Sequence, residues 1–317
     1  MADTTAIQSE PQGALARLLY RPPFVGLLAF VIVFVVQALG HTVMIAMENL
    51  FGKEYIFQSA FALGLVGAVL LFIGMKSQNE VAATWLGFWA GTLLWTGWIE
   101  FAFVWSGDYL GVPDLMDPNM PGQIATKAEY LVMMSSVGIL FATLAYFTMN
   151  KETKCNFFLW FQRNAGMRTG KPNPAHERNF AAITALETIY VVWFFYLLLL
   201  FMYDESILGD RHPVTYGVFF INVIWAVYLF QRLMKFWKVT TAIRYGIPTA
   251  IISWNLVEIA GRWHLFTEFW EHPQDFGLEM SLIGVGVTIA AVLAVRVPEH
   301  QKVRLRAEEL AGRQPAE

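Results

Sequence analysis

Long runs of Leu, Val, Phe and Ala, most of them beyond about 18 residues and separated by charged loops, constrain this chain more than any other feature. Backbone N–H and C=O groups in hydrocarbon find no water, so each spanning segment must satisfy them within a helix or a closed barrel. The runs lack apolar/polar alternation, which excludes an outer-membrane barrel and predicts helices. Of 317 residues, 56% are hydrophobic and only 15% charged, a membrane composition.

The predicted spans are Phe24 to Leu50, Ile56 to Met75, Ala82 to Trp105, Ala125 to Met149, Phe180 to Tyr203, Val214 to Phe236, Ile243 to Trp270 and Phe276 to Val295. Lys and Arg orient them. Arg17 and Arg21 precede the first span and Lys76 joins the second to the third. Lys151, Lys154, Arg163, Arg168, Lys171 and Arg178 fill the loop before the fifth. Arg232, Lys235, Lys238 and Arg244 lie where the sixth and seventh meet, and Arg296, Lys302, Arg304 and Arg306 follow the eighth. The alternate loops carry Asp108, Asp114 and Asp117, then Asp204, Glu205 and Asp210, then Glu271, Asp275 and Glu279. About eight crossings put all these cations on one side, so the expectation is an all-α integral membrane protein, one bundle with cytoplasmic N- and C-termini in a cell inner membrane.

The domain reading is a cytoplasmic segment 1–22, an eight-helix transmembrane domain 23–297 and a cytoplasmic tail 298–317. The first apolar run is too long for a signal-peptide core and has no small-residue cleavage site behind it, so it is expected to stay as the first helix. CNFFLWFQR, too short to span, reads as a piece lying in the interface plane. DYLGVPDLMDPNMPG reads as a non-helical cap over the helix ends, or a lid. No internal repeat and no matched pair of broken helices is evident. The charges are sorted by loop rather than pooled on one face, so no nucleic-acid partner is expected. A single cysteine, Cys155, excludes an internal disulfide framework and reads as a structural bystander.

A charge at the bilayer centre costs at least about 2.5 kcal/mol, so each one needs an interior partner or a use. Gln37, His41, Met44 and Glu48 share one face of the first helix. Thr92, Thr96 and Glu100 stripe the third, and Thr126, Glu129, Met133 and Ser136 the fourth. In the seventh, Glu258 and Arg262 are four apart and can pair, as can His264 and Glu268, provided that this helix is central in the bundle. Topology then brings His41, Glu48, Glu100, Glu129, Glu258, Arg262, His264 and Glu268 into the outer half of the membrane, around an expected polar cavity formed by the first, third, fourth and seventh helices. Glu187 is the exception, about 10 Å from the cytoplasmic end. It belongs either to a separate structural pair or to a proton route inward. The plainer reading of the same residues is a structural Glu258–Arg262 ion pair, a satisfied bundle histidine at His41, and headgroup-facing Glu48 and Glu268.

Three functions fit this pattern. The first is a metal-dependent membrane oxidoreductase, with iron or copper held by His41, Glu100, Glu129 and His264, and with Glu258 and Arg262 as catalytic residues. Neither the His-rich boxes of membrane desaturases nor a Glu-x-x-His pair is present. The second is a proton- or cation-coupled transporter, in which Glu258 and Arg262 form the substrate or gating pair. The third is an electron-transfer subunit binding quinone or one haem b, for which His41 and His264 would be the axial ligands. All three imply the lipid bilayer and a small-molecule or ion substrate as partners, and further membrane or periplasmic subunits are compatible with each. The spacing of Glu258, Glu268, Pro273 and Gly277 resembles the last part of the C subunit of copper membrane monooxygenases. The Asp, His, His ligand set of that family has no counterpart here, where the outer loop offers Asp108 and Glu129 without histidines, so the resemblance assigns no residue a role.

Overall fold

The structure, a computed structural model, describes residues 20–116, 124–153, 155–168, 170, 178–270 and 275–295. Most of the expected cytoplasmic N-terminal segment, the tail 298–317, the middle of the Pro/Gly/Asp loop and Pro273 lie outside them.

The described chain is mostly helical. Helix α1 (Phe24–Gly52) runs into α2 (Glu54–Lys76) through a single non-helical residue. Gly52 stands there at φ 62° and ψ 176°, which a side chain would resist, so the expected five-residue loop shrinks to a one-residue corner. Helix α3 (Glu80–Leu94) starts on Asn79, whose side chain accepts from the amides of Val81 and Ala82. It passes through a widened π turn (Trp95–Glu100) into α4 (Phe101–Leu110). A short antiparallel pair, β1 (Leu115–Met116) and β2 (Ile124–Thr126), comes next. Helices α5 (Ala128–Met134) and α6 (Val137–Met149) then run almost continuously. The interface piece is α7 (Asn156–Asn164), held to α6 by the Gln162 side-chain amide, which donates to the carbonyls of Thr148 and Asn150. Helices α8 (Phe180–Tyr203), α9 (Pro213–Leu233), α10 (Val239–Arg262) and α11 (Gly277–Val295) complete the chain.

Among the described residues five helical stretches are long and apolar enough to cross a membrane: α1, α2, α5 with α6, α8 and α9. The remaining long segments fall short for identifiable reasons. The π turn interrupts α3, α10 carries Arg244, Glu258 and Arg262, and the described apolar part of α11 is short. Outward faces are apolar, as contact with lipid requires: Phe61, Leu65, Val69 and Phe72 on α2, and Phe220, Ile221 and Ile224 on α9, are all exposed.

Small residues set the packing. Gly87 and Gly91 of α3 meet the backbone of Ala181 and Ala185 of α8 so closely that an added Cβ would stand 2.3 and 2.8 Å from their carbonyl oxygens. This small-xxx-small contact locks α3 and α8 side by side and parallel. Gly97, in the π turn, presses on the backbone of Ala60 and Gly64 of α2 in the same way. Helix α10 is central, touching α1, α3, α8 and α9, with Ile243, Ile247, Ile252 and Ile259 fully buried. It runs parallel to α1 in constant register: Gly246 faces Ala29, Trp254 faces Phe34 and Ala38, and Glu258 faces His41. The seventh span differs from expectation in one respect. The helix ends at Arg262, and residues 263–270 form turns instead of continuing to Trp270.

Candidate functional site

The registers just described carry four helices' polar stripes to one level, about 25 Å along α1 from its first residue by helical rise. Parallel packing of α3 on α8 brings Glu100 opposite Tyr196, whose hydroxyl donates to Glu100 Oε1 at 3.1 Å. Glu100 sits on the last residue of the π turn and is buried, 5% exposed. A π turn adds a residue per turn and so re-aims the side chains beyond it, a feature that recurs at functional sites. Parallel packing of α1 on α10 brings His41 Nε2 to 3.3 Å from Glu258 Oε1. The same carboxylate oxygen accepts the Trp254 indole N–H at 2.7 Å, one helical turn below.

Tyr196 joins the two pairs. Its ring centroid lies 6.5 Å from that of His41 and 6.0 Å from those of Trp95 and Tyr130. Glu100 is within Coulombic reach of His41, Glu129 and Glu258, so the charges form one electrostatic unit. Toward the helix ends the unit continues through Arg262, whose guanidinium stacks over the Tyr203 ring at 5.0 Å. The Tyr203 hydroxyl is buried without a hydrogen-bond partner among the described residues and feels the charges of Glu258, Arg262 and Glu268. The rings of Trp95, Tyr130 and Tyr196 line the layer in which the sequence predicts a polar cavity.

The sequence-predicted residues are thus distributed unequally. His41, Glu100 and Glu258 come together. Glu129, in the first turn of α5, stands at the edge of the cluster toward Asp108 and Asp114. Glu258 and Arg262 share a face but do not meet, because each takes a partner from another helix, His41 and Tyr203 respectively. His264 is exposed in the turn after α10, so the helical spacing that set it four residues before Glu268 on one face no longer applies. Glu48 is exposed near the end of α1. Among the described residues no group of three or more His, Cys, Asp or Glu is close enough to hold a metal ion. Tyr130, Tyr196, Tyr203, Trp95 and Trp254 were not singled out by sequence, where the aromatic surplus reads as interface belt and packing. The usable signals were the seven-residue spacing of Tyr196 and Tyr203 and the four-residue spacing of Trp254 and Glu258.

Glu187 has a partner at the opposite, basic end. Arg244 of α10 forks onto it, Nε donating to Oε2 at 2.7 Å and the second nitrogen to Oε1. The Cys155 thiol lies against the same carboxylate, 3.7 Å from Oε1. Nearby, Lys238 pairs with Glu80 at 3.1 Å.

No protein-family model, no curated protein and no solved structure matches this chain.

Proposed function

We propose that the chain is a multi-pass inner-membrane protein that crosses the bilayer about eight times with both ends in the cytoplasm, and that it is a proton- or cation-coupled transporter. The directions of neighbouring helices support this path: α1, α3, α8 and α10 run parallel with Lys or Arg near their starts, and in the sequence acidic loops follow α3 with α4, α8 and α10.

The observation that carries the functional reading is the single chain of contacts from Glu100 through Tyr196 to His41 and Glu258, set inside an apolar bundle. Two carboxylates and one imidazole there have fewer full positive charges beside them than negative ones. Such a unit is most easily kept in hydrocarbon by carrying protons, and its charge state then depends on what else is bound. His41 and Glu258 can hold one proton between them. Tyr196 offers its hydroxyl proton to Glu100 while that carboxylate is charged, and can turn to accept when it is neutral. Proton binding at one side and release at the other, linked to movement of a small solute or cation, is the work such a unit can do. The metal reading of His41, Glu100, Glu129 and His264 draws less support, since His264 stands apart from the other three.

The test is proton flux. The purified protein in liposomes holding a pH-sensitive dye should take up protons when a potassium diffusion potential is imposed, and Glu100→Gln and Glu258→Gln should abolish the uptake. Wild-type uptake no greater than that of protein-free vesicles would overturn the reading. Stoichiometric iron or copper that is lost with Glu100→Ala and Glu129→Ala would replace it with the metal-dependent oxidoreductase.

A further inference from the structure

Helix α10 stops at Arg262 although neither Gly nor Pro occurs between there and Trp270. The chain leaves it through a turn in which the amides of His264 and Leu265 bond back to the carbonyls of Gly261 and Ala260, at 2.7 and 3.1 Å. His264 is held at φ 59°, the only non-glycine residue at positive φ among those described. Glycine is the usual occupant of that place at a helix end, and another residue there stores strain.

Residues 263–270 then fold back on the acidic end of the cluster. The Glu268 carboxylate lies on Gly261, where a Cβ would stand 2.0 Å from Oε1. Residues 264–267 are exposed, but Trp270 at the far end is 1% exposed. Its ring packs on Trp254 at 4.8 Å and against Ala38, and its carbonyl accepts from Thr42 Oγ1 at 3.4 Å. Ala38 and Thr42 flank His41 on α1, and Trp254 is the residue that donates to Glu258. The strap is held at both ends: Trp263 donates its indole N–H to the Asp210 carbonyl at 2.8 Å and packs on Tyr216 and Phe219, whereas beyond the strained His264 the buried Trp270 ring, with Phe269 beside it, lies on the side chains that hold the His41–Glu258 pair.

We infer that His264–Trp270 is a gate over the polar cluster, with His264 as its hinge and Trp270 as its latch. In the closed state seen here Trp270 covers Trp254, the indole that donates to Glu258. Withdrawing it uncovers Trp254 and opens a path from the acidic side to Glu258 and His41. The inference rests on the reading of this cluster as an exchange site, but its test does not depend on transport.

A charged, thiol-specific reagent would be added to the full chain purified in detergent, with Cys155→Ser removing the native thiol and Ala38→Cys placing a reporter beneath Trp270. Labelling should be slow in this background and about tenfold or more faster with Trp270→Ala added. His264→Gly, which relaxes the hinge in its closed form, should slow labelling, and Gly261→Ala, which pushes the Glu268 carboxylate aside, should speed it by a smaller factor. Equal rates with and without Trp270→Ala would overturn the gate. If that variant does not run as a folded monodisperse protein, the other two decide: opposite shifts support the gate, and unchanged rates overturn it. A latch that responds in a protein without proton flux would sink the transport reading alone, and flux with unresponsive labelling would sink the gate alone.

Discussion

Helices α8 and α10 face each other at two charged levels, and the two are built on different principles. At the basic end Glu187 meets Arg244 in a forked pair, one carboxylate against one guanidinium. That geometry uses the fixed fork of arginine, which stays charged at any working pH, so the pair has one state. At the acidic end Glu100 and Glu258 are held by a phenol, an imidazole and an indole N–H. Of these donors only the imidazole can bring a full charge, and only while protonated. The first arrangement fixes a charge, whereas the second leaves room for the charge to change. The carboxylates at the two levels are thus separated in role by the chemistry of their partners, since all three are largely withdrawn from solvent.

The sharpest way to break this contrast is to remove the cation of the fixed pair. Arg244→Met removes both charged hydrogen bonds to Glu187 inside the bundle and leaves the Cys155 thiol beside it. Loss of one partner of such a pair costs about 3–5 kcal/mol, toward the lower figure here because each side chain keeps about a fifth of its surface exposed. Thermal unfolding in detergent should show the loss, and a Glu187→Leu, Arg244→Met double variant should recover most of it. If the single variant is nearly neutral, the basic-end pair is not a structural clamp and the comparison fails.

How far sequence reasoning reached follows the same division between what one helix dictates and what two helices decide. Helical spacing places His41, Glu100 and Glu258 on inward stripes, and the distribution of Lys and Arg orders the helix ends, because both are properties of single segments. Spacing also sets Glu258 and Arg262 on one face, but sharing a face does not choose a partner. His41 competes for Glu258 from α1, and Tyr203 for Arg262 from α8. The partner of Glu187 lies on another helix, so no local pattern could supply it. The end of α10 was invisible because its turn uses His264 where a glycine would have announced it. Tyr196 escaped notice because one more tyrosine in an aromatic-rich chain carries no signal until Gly87 and Gly91 fix the register of α3 on α8.

A smaller effect probes the adjustable level. Tyr196→Phe keeps the ring against His41, Trp95 and Tyr130 but removes the hydroxyl that donates to Glu100. Leaving a buried acceptor with one donor fewer costs about 1–2 kcal/mol when its charge is fixed. A carboxyl that can take up a proton has a way to limit that cost, so the loss should be smaller at low pH than at high pH. Denaturation of Tyr196→Phe and wild type across pH would show this as a gap that widens as pH rises. A gap independent of pH would place Glu100 in the same fixed class as Glu187.

The smallest expected effect tests whether the basic-end site is a closed pair or a group of three. Cys155 reaches Glu187 Oε1 only at 3.7 Å, a weak sulfur contact beside the two short bonds from Arg244. Cys155→Ser keeps a donor of similar size, so stability should change by less than about 0.5 kcal/mol. Proton uptake should be unchanged, because this site lies at the opposite end of α8 and α10 from Glu100 and Glu258. A loss comparable to that of Arg244→Met would mean that the thiol is an integral member of the site, and that the anchoring of α7 depends on the charge state of Glu187. Reduced proton uptake with intact stability would instead join the two levels into one route, and Glu187 would then belong with the adjustable carboxylates.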